Sequence, residues 1–206
     1  MVTVKVKICG ITCTDDALAA VEAGADAIGL VFYPNSARYV ALSRAAEIVA
    51  AVGPFVTTVG LFVNETAERV EQARRETGVH LVQLHGDEEA SYCARITSPY
   101  IKAIRMAPGL TPQLIMAEFP RATAFLFDAW RSGQYGGTGI SFDWRRVAGL
   151  TGRPTILAGG LTVNNVVEAV ATVNPYAVDV SGGVESSPGR KDAVLMKQFV
   201  KLAKAR

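Results

Sequence analysis

The chain has 206 residues, of which half are hydrophobic and 19% are charged, and its formal net charge is +2. This length suits one domain, so we expect a single domain over residues 1–206. The balance of apolar and charged residues is typical of a globular chain, and it is unlike that of disordered or membrane-spanning proteins. The small net charge indicates neither a nucleic-acid partner nor a membrane partner.

Cysteine usage argues against disulfides and metal. Cys9, Cys13 and Cys93 cannot all pair with one another, and the step from Cys9 to Cys13 is not a zinc or redox spacing. The N-terminus opens directly into a β-like stretch without a signal-peptide core. We therefore expect a cytoplasmic protein whose thiols stay reduced.

Eight short, β-branched apolar runs recur along the chain, and each predicts a buried strand. In chain order they cover residues 4–9, 26–32, 55–63, 80–85, 100–105, 123–129, 154–160 and 176–183. Helical spacing fills connections between them, as in residues 14–24, 43–53, 66–78 and 162–173. Prolines near both ends of residues 108–120 predict that the fifth helix is short or irregular.

The alternation of strand and helix predicts a compact, single-domain (β/α)8 barrel of the TIM type. An open doubly wound sheet is the alternative architecture. It is disfavoured because no G-x-G-x-x-G motif follows the first strand.

Polar residues recur where the predicted strands end, which is where barrels of this type place their active sites. Alternation along strands one, four, six and eight directs these side chains inward: Lys5, Lys7 and Cys9; Gln83 and His85; Asp128; Asp179 and Ser181. Taken singly, a cysteine is usually a small buried hydrophobe, an aspartate a cap, and a histidine structural. Buried charges persist when they are paired or used, so their convergence favours a site. Lys7 would favour the Cys9 thiolate and would pair with Asp179 or Asp128.

Glycine-rich turns indicate a phosphate-binding site. Gly159 and Gly160 end strand seven, and Ser181, Gly182 and Gly183 end strand eight. These two loops form the usual phosphate cradle of this fold, although tight turns and helix caps would have the same composition. A third loop, residues 136–139 with Gly137, would close over the ligand.

Seven segments carry a resemblance to phosphoribosylanthranilate isomerases of tryptophan synthesis. They are KICGIT (7–12), FYPNSARYV (32–40), VQLHGDE (82–88), FDAW (127–130), YGGTGISFDW (135–144), LAGGLTVNNV (157–166) and VDVSGGVESSPGRKD (178–192). The resemblance runs through nearly the whole chain in the right order. KICGIT, LHGDE and GTG-x-x-FDW are specific in combination, whereas a lone AGG or SGG turn fits many phosphate-binding barrels.

The resemblance implies an Amadori rearrangement without cofactor or metal, on the small phosphorylated molecule N-(5-phosphoribosyl)anthranilate. Asp128 matches the general acid that protonates the ribose ring oxygen, and Cys9 matches the base that removes the proton from C2. Arg38 matches the residue that binds the anthranilate carboxylate. Lys7, His85 and Asp179 complete the expected substrate-binding set.

Three departures from the family pattern bear on affinity: Ala37 replaces a common Pro, Gly182 replaces a common Ser, and Ile140-Ser141 replaces a common Lys-Thr.

The main rival is the barrel isomerase of histidine synthesis, whose larger substrate carries two phosphates. A resemblance to that family would imply a pair of aspartates, one of them at the end of strand one, where this chain has Cys9. A dual-activity enzyme and a non-catalytic phosphosugar-binding barrel remain alternatives. We expect a monomer or a homodimer.

Overall fold

A computed structural model of the chain describes residues 3–130 and 141–205. Eight parallel strands form a closed barrel in chain order, and the last strand pairs with the first. The strands are β1 (Lys5–Cys9), β2 (Ala27–Val31), β3 (Thr57–Phe62), β4 (Leu81–Leu84), β5 (Tyr100–Met106), β6 (Ala124–Ala129), β7 (Thr155–Leu157) and β8 (Ala177–Val180). The predicted closed barrel is confirmed, and the alternative of an open sheet is wrong.

Helices follow most of the strands. They are α1 (Thr14–Glu22), α2 (Leu42–Val52), α3 (Ala67–Thr77), α4 (Ala90–Cys93), α5 (Pro112–Glu118), α6 (Val166–Val173) and α7 (Ala193–Ala203). The predicted short fifth helix is confirmed, since α5 has seven residues and begins at a proline. The four residues of α4 make it shorter still, which the sequence did not indicate. Within the described ranges, no helix has the length and apolar character needed to cross a membrane.

Irregular segments lie at the end of the barrel where the strands have their carboxyl ends. Short 3-10 helices lie at Trp144–Val147 and Gly182–Val184. A small antiparallel pair, β9 (Glu185–Ser187) and β10 (Arg190–Lys191), follows β8 and precedes α7. These connections extend from the strand ends at which the predicted site lies.

The helix ends follow ordinary capping chemistry. The Thr66 side chain accepts a hydrogen bond from the backbone N–H of Arg69 at the start of α3, and Gly78 ends that helix with a left-handed φ of 75°. At the start of α7, the Asp192 carboxylate accepts from the N–H groups of Val194 and Leu195. Each such side-chain cap stabilises its helix by about 1 kcal/mol.

Two apolar layers lie on opposite faces of the strands. Val6, Ile8, Phe125 and Phe127 belong to the outer core between the barrel and the helices. The barrel interior is a separate cluster that includes Leu126. The alternation predicted for strands one and six is therefore observed, and it directs Cys9 and Asp128 toward the interior end where β1 and β6 finish.

Candidate active site

A cavity of about 280 Å³ opens at the carboxyl ends of the barrel strands. The predicted site residues that line it are Cys9, Arg38, His85, Asp128, Gly159, Gly160, Asp179, Ser181, Gly182 and Gly183. Lys7 is buried and is not among the residues that line this cavity. The predicted Gly137 contact lies outside the described residues.

A buried ion pair lies beside the cavity. Strands β1 and β8 are neighbours, and their register places Lys7 opposite Asp179. Lys7 Nζ donates to Asp179 Oδ1 at 2.9 Å, and the two side chains are 5% and 9% exposed. Burial acts to lower the pKa of Lys7, but Asp179 and Cys9 more than offset it, so the pKa lies above its ordinary value. Lys7 is therefore a cation at neutral pH, and Asp179 is its partner of the two that the sequence allowed.

The Cys9 thiol ends β1 in a tightly packed setting. Its Sγ would lie 2.7 Å from a Cβ added at Gly29 on the neighbouring strand, so only glycine leaves room for it. Burial raises the pKa of Cys9 above its ordinary value, although Lys7 and Lys191 act in the opposite direction. Lys7 thus favours the thiolate, but desolvation of the buried thiol outweighs it.

A chain of hydrogen bonds reaches the Asp128 carboxyl at the end of β6. The Asp128 Oδ2 atom lies 3.1 Å from Nε2 of His85, and His85 Nδ1 lies 2.8 Å from Nε2 of Gln83. The other oxygen, Oδ1, accepts from the backbone N–H of Ala129 at 2.8 Å. Gly159 lies against this oxygen, since a Cβ added there would be 3.1 Å from Oδ1. Asp128 is therefore fixed from two sides at the cavity wall.

Arg38 is held at the cavity by residues that the sequence analysis did not single out. Its Nε and Nη2 donate to the two oxygens of Glu185 at 2.7 Å each, and Lys191 Nζ donates to Glu185 Oε1 at 2.7 Å. Burial acts to raise the pKa of Glu185, but Arg38 and Lys191 hold it below its ordinary value. The three charges sum to +1, which suits a single carboxylate.

Glu185 and Lys191 lie inside the segment 178–192 that carried the resemblance, so a signal was present. Their proximity depends on the pairing of β9 with β10, which matches Glu185 with Lys191 across the two strands. Neither alternation nor motif spacing specifies such an irregular pair. The sequence therefore identified Arg38 without the groups that orient it.

The glycine turn after β7 and the glycine turn after β8 pack against each other where they line the cavity. Gly159 and Gly160 have φ values of 84° and 64°, in the left-handed region that favours glycine. A Cβ added at Gly183 would lie 1.9 Å from the carbonyl oxygen of Leu161, so the turn after β8 packs on the turn after β7. Asn165 fixes the β7 turn, accepting from Thr162 N at 2.8 Å and donating to Gly160 O at 2.9 Å.

A thiol and a carboxyl on separate strands, an oriented arginine and two packed glycine turns surround one cavity at the end of a closed barrel. These features are typical of the active site of a (β/α)8-barrel enzyme that acts on a small anionic molecule. The family model of N-(5'-phosphoribosyl)anthranilate (PRA) isomerase matches residues 6–202. The chain belongs to this family.

Individual comparisons agree with the family match. The N-(5'-phosphoribosyl)anthranilate isomerase of Pseudomonas paraeruginosa is 52% identical over 206 residues, covering 100% of this chain and 98% of that protein. A phosphoribosyl anthranilate isomerase crystallised with reduced 1-(o-carboxyphenylamino)-1-deoxyribulose 5-phosphate is 39% identical with a TM-score of 0.84. Monomers of the dimeric isomerase from Thermotoga maritima are 37% identical with a TM-score of 0.81. Each of the two structural matches covers 98% of this chain and 100% of the chain in the solved structure.

Proposed function

We propose that Cys9 and Asp128 are the two proton-transfer groups of the reaction catalysed by this chain, a PRA isomerase of tryptophan biosynthesis. The reaction is the Amadori rearrangement of N-(5-phosphoribosyl)anthranilate to 1-(2-carboxyphenylamino)-1-deoxyribulose 5-phosphate. Ring opening requires an acid at the ribose oxygen, and the following step requires a base at C2. One side chain cannot easily reach both atoms, so two groups are needed.

The observation that carries this proposal is the separation of Cys9 and Asp128 around one cavity. Both line it, and three strand steps separate β1 from β6 around the barrel. The two groups would therefore approach a bound sugar from different sides. Asp128 would give its proton to the ring oxygen as the ring bond to C1 breaks and the nitrogen lone pair forms the C1=N bond. The thiolate form of Cys9, which the charge of Lys7 favours, would then take the proton from C2 as the C1=C2 enolamine forms. The enolamine would become the ketone as a proton moves from its 2-hydroxyl group to C1.

The remaining contacts would hold the substrate at its two charged ends. The backbone N–H groups of the packed turns would bind the phosphate, through Gly159, Gly160, Ser181, Gly182 and Gly183. Arg38 would bind the anthranilate carboxylate, because its guanidinium lines the cavity and is already oriented by Glu185. This arrangement suits the reduced product bound in the relative, which carries a carboxyl group and a 5-phosphate.

Lys7, His85 and Asp179 would act around the reacting groups. Lys7 is buried, so it would hold Asp179 and place a positive charge near Cys9 without contacting the substrate. Asp179 and His85 line the cavity and would lie beside the sugar. His85 also contacts the proposed acid directly.

The alternative functions are less well supported. The family match covers residues 6–202 and favours neither the histidine-pathway isomerase nor a non-catalytic phosphosugar-binding barrel. The resemblance to the histidine-pathway isomerase would require an aspartate at the end of β1, and this chain has Cys9 there. Acceptance of a second substrate by the same site would be revealed by direct assay.

We propose that the protein is cytoplasmic and forms a homodimer, as the dimeric isomerase of Thermotoga maritima does. At the amino end of the barrel, the fully exposed Phe55 and the half-exposed Tyr176 line a second cavity of about 520 Å³. A second copy would bury these aromatic rings. Light scattering on purified protein distinguishes this dimer from a monomer, and Phe55→Asp should favour the monomer.

The function is tested by adding N-(5-phosphoribosyl)anthranilate to the purified protein and following anthranilate fluorescence. The expected result is a catalysed change in fluorescence without added metal or cofactor. Binding of the substrate without turnover would instead indicate the non-catalytic barrel. The histidine-pathway substrate, assayed in parallel, tests for dual activity.

A further inference from the structure

Gln83 is a polar side chain inside the barrel that the proposed reaction does not use. It lies on β4, is 0% exposed, and is not among the residues that line the cavity at the carboxyl ends of the strands. It therefore cannot contact a substrate bound there. Because burial of an amide is costly without hydrogen bonds, its contacts indicate what it does.

The amide of Gln83 contacts one nitrogen of His85, and the other nitrogen of that ring faces Asp128. Gln83 Nε2 can only donate, so the His85 Nδ1 atom 2.8 Å away must accept. A neutral imidazole then carries its proton on Nε2, which donates to Asp128 Oδ2 at 3.1 Å. The Oε1 atom is buried without a hydrogen-bond partner among the described residues. Reversing the amide would put the two donors of its NH2 group there instead, which costs more than one unsatisfied acceptor.

This tautomer of His85 affects how Asp128 presents a proton. In this tautomer His85 Nε2 donates to Oδ2 and cannot take the proton of Asp128. A proton carried on Oδ1, which accepts from Ala129 N–H and lies against the cavity residue Gly159, then stays available to the substrate. After that proton leaves, the N–H groups of His85 and Ala129 stabilise the carboxylate. The opposite tautomer would make His85 Nε2 an acceptor that competes with the substrate for the proton.

We infer that Gln83 is a positioning residue that selects the Nε2–H tautomer of His85 and thereby directs the proton of Asp128 toward the substrate. The kinetic part of this inference rests on the proposed acid role of Asp128. The tautomer itself does not depend on that role, so the two parts are tested by separate measurements.

The tautomer is measured by nitrogen-15 NMR of the imidazole rings. The chain has two histidines, and the second is an internal control. His80 is exposed immediately before β4, and its Nδ1 accepts from the backbone N–H of Thr58 at 3.0 Å, which also fixes the Nε2–H tautomer. In Gln83→Leu, the His85 signals should move away from the pure Nε2–H form while the His80 signals stay unchanged.

Kinetics on the same variant test the consequence for catalysis. Gln83→Leu should lower kcat about tenfold or more, within the range for a disturbed general acid. KM should change less than about twofold, because the substrate contacts remain. Gln83→Met provides a second, unbranched replacement if the leucine variant folds poorly.

A packing control separates positioning from structural damage. Ile101 on β5 pairs in register with Gln83 and lies in the interior apolar cluster. Ile101→Val should lower the midpoint of urea denaturation and leave the His85 signals and kcat unchanged. The inference is overturned if His85 keeps the Nε2–H form in both Gln83 variants, or if its tautomer changes while kcat does not. Full activity in Asp128→Asn would instead remove the acid role and leave the tautomer result standing.

Discussion

The Glu185 carboxylate holds the Arg38 guanidinium through two hydrogen bonds of 2.7 Å, made by Nε and Nη2. The Nη1 atom takes no part in this pair. Lys191, whose side chain is 0% exposed, supports Glu185 from the other side. Arg38 is therefore oriented before a substrate arrives, which reduces the entropy lost on binding.

Arg38→Ala should weaken substrate binding and leave the fold intact. A charge-assisted hydrogen bond contributes about 1.5–3 kcal/mol, so KM should rise about 10- to 100-fold with a smaller change in kcat. Steady-state kinetics measure both values. Arg38→Lys is the matched control, since it keeps the charge and loses the planar fork, and it should be intermediate. Unchanged kcat and KM in a folded Arg38→Ala would remove Arg38 from the site.

Glu185→Gln should destabilise the protein because it leaves Lys191 buried without its charged partner. Breaking a buried pair costs about 3 kcal/mol, measured by urea denaturation near neutral pH. Glu47→Gln removes an exposed ion pair with Arg44 and should cost less than about 1 kcal/mol. An equal loss in the two variants would contradict the buried role of Glu185.

The same variant has a defined pH dependence. The pKa of Glu185 is lower in the folded protein than its ordinary value of 4.5. Its stabilising contribution is therefore fully present above pH 4.5 and is lost as the pH falls through the folded pKa. The stability difference between wild type and Glu185→Gln should shrink below pH 4.5. A difference that grows on acidification would contradict this sign.

Alkylation tests the state of Cys9 in the free enzyme. Burial raises the pKa of its thiol above the ordinary value of 9.0, and the thiolate is the reactive form. Inactivation by iodoacetamide should therefore continue to accelerate above pH 9, with mass spectrometry separating Cys9 from the half-buried Cys13. A plateau in the Cys9 rate below pH 8 would show that Lys7 outweighs burial.

Inorganic phosphate should compete with the substrate at the packed turns, and Gly183→Ala should abolish that competition. A Cβ at Gly183 would meet the backbone oxygen of Leu161 at 1.9 Å, so the two turns would have to separate. At Gly182 the nearest atom would be the side-chain atom Arg38 Nη2 at 3.3 Å, which has to shift far less than a backbone oxygen at 1.9 Å, so Gly182→Ala should be milder. Inhibition constants for phosphate measure the effect. The proposed cradle is wrong if phosphate fails to compete in the wild type.

The fold was predictable because its determinants are local and repeated. Alternation along β1 and β6 separated the outward Ile8 and Phe127 from the inward Cys9 and Asp128, and the structure has both pairs as predicted. The proline at the start of α5 likewise indicated a short helix. Nothing comparable marks α4, which has four residues.

The chemistry of the site was less predictable because it depends on three-dimensional packing. Sequence reasoning allowed two partners for Lys7, and the register of β1 with β8 selects Asp179. The pairing of Arg38 with Glu185 spans 147 positions and requires the β9–β10 pair to be formed. The raised pKa of Cys9 reflects a balance of burial against nearby cations, which no motif reports.

The division of proton transfers between Cys9 and Asp128 is tested most directly by kcat and KM of Cys9→Ser and Asp128→Asn in the anthranilate fluorescence assay. A serine hydroxyl does not ionise readily, and an asparagine amide cannot donate the same proton. Each variant should lose about 10²-fold or more in kcat, with a much smaller change in KM and an unaltered circular dichroism spectrum. A near wild-type kcat in either folded variant would contradict the role assigned to that residue.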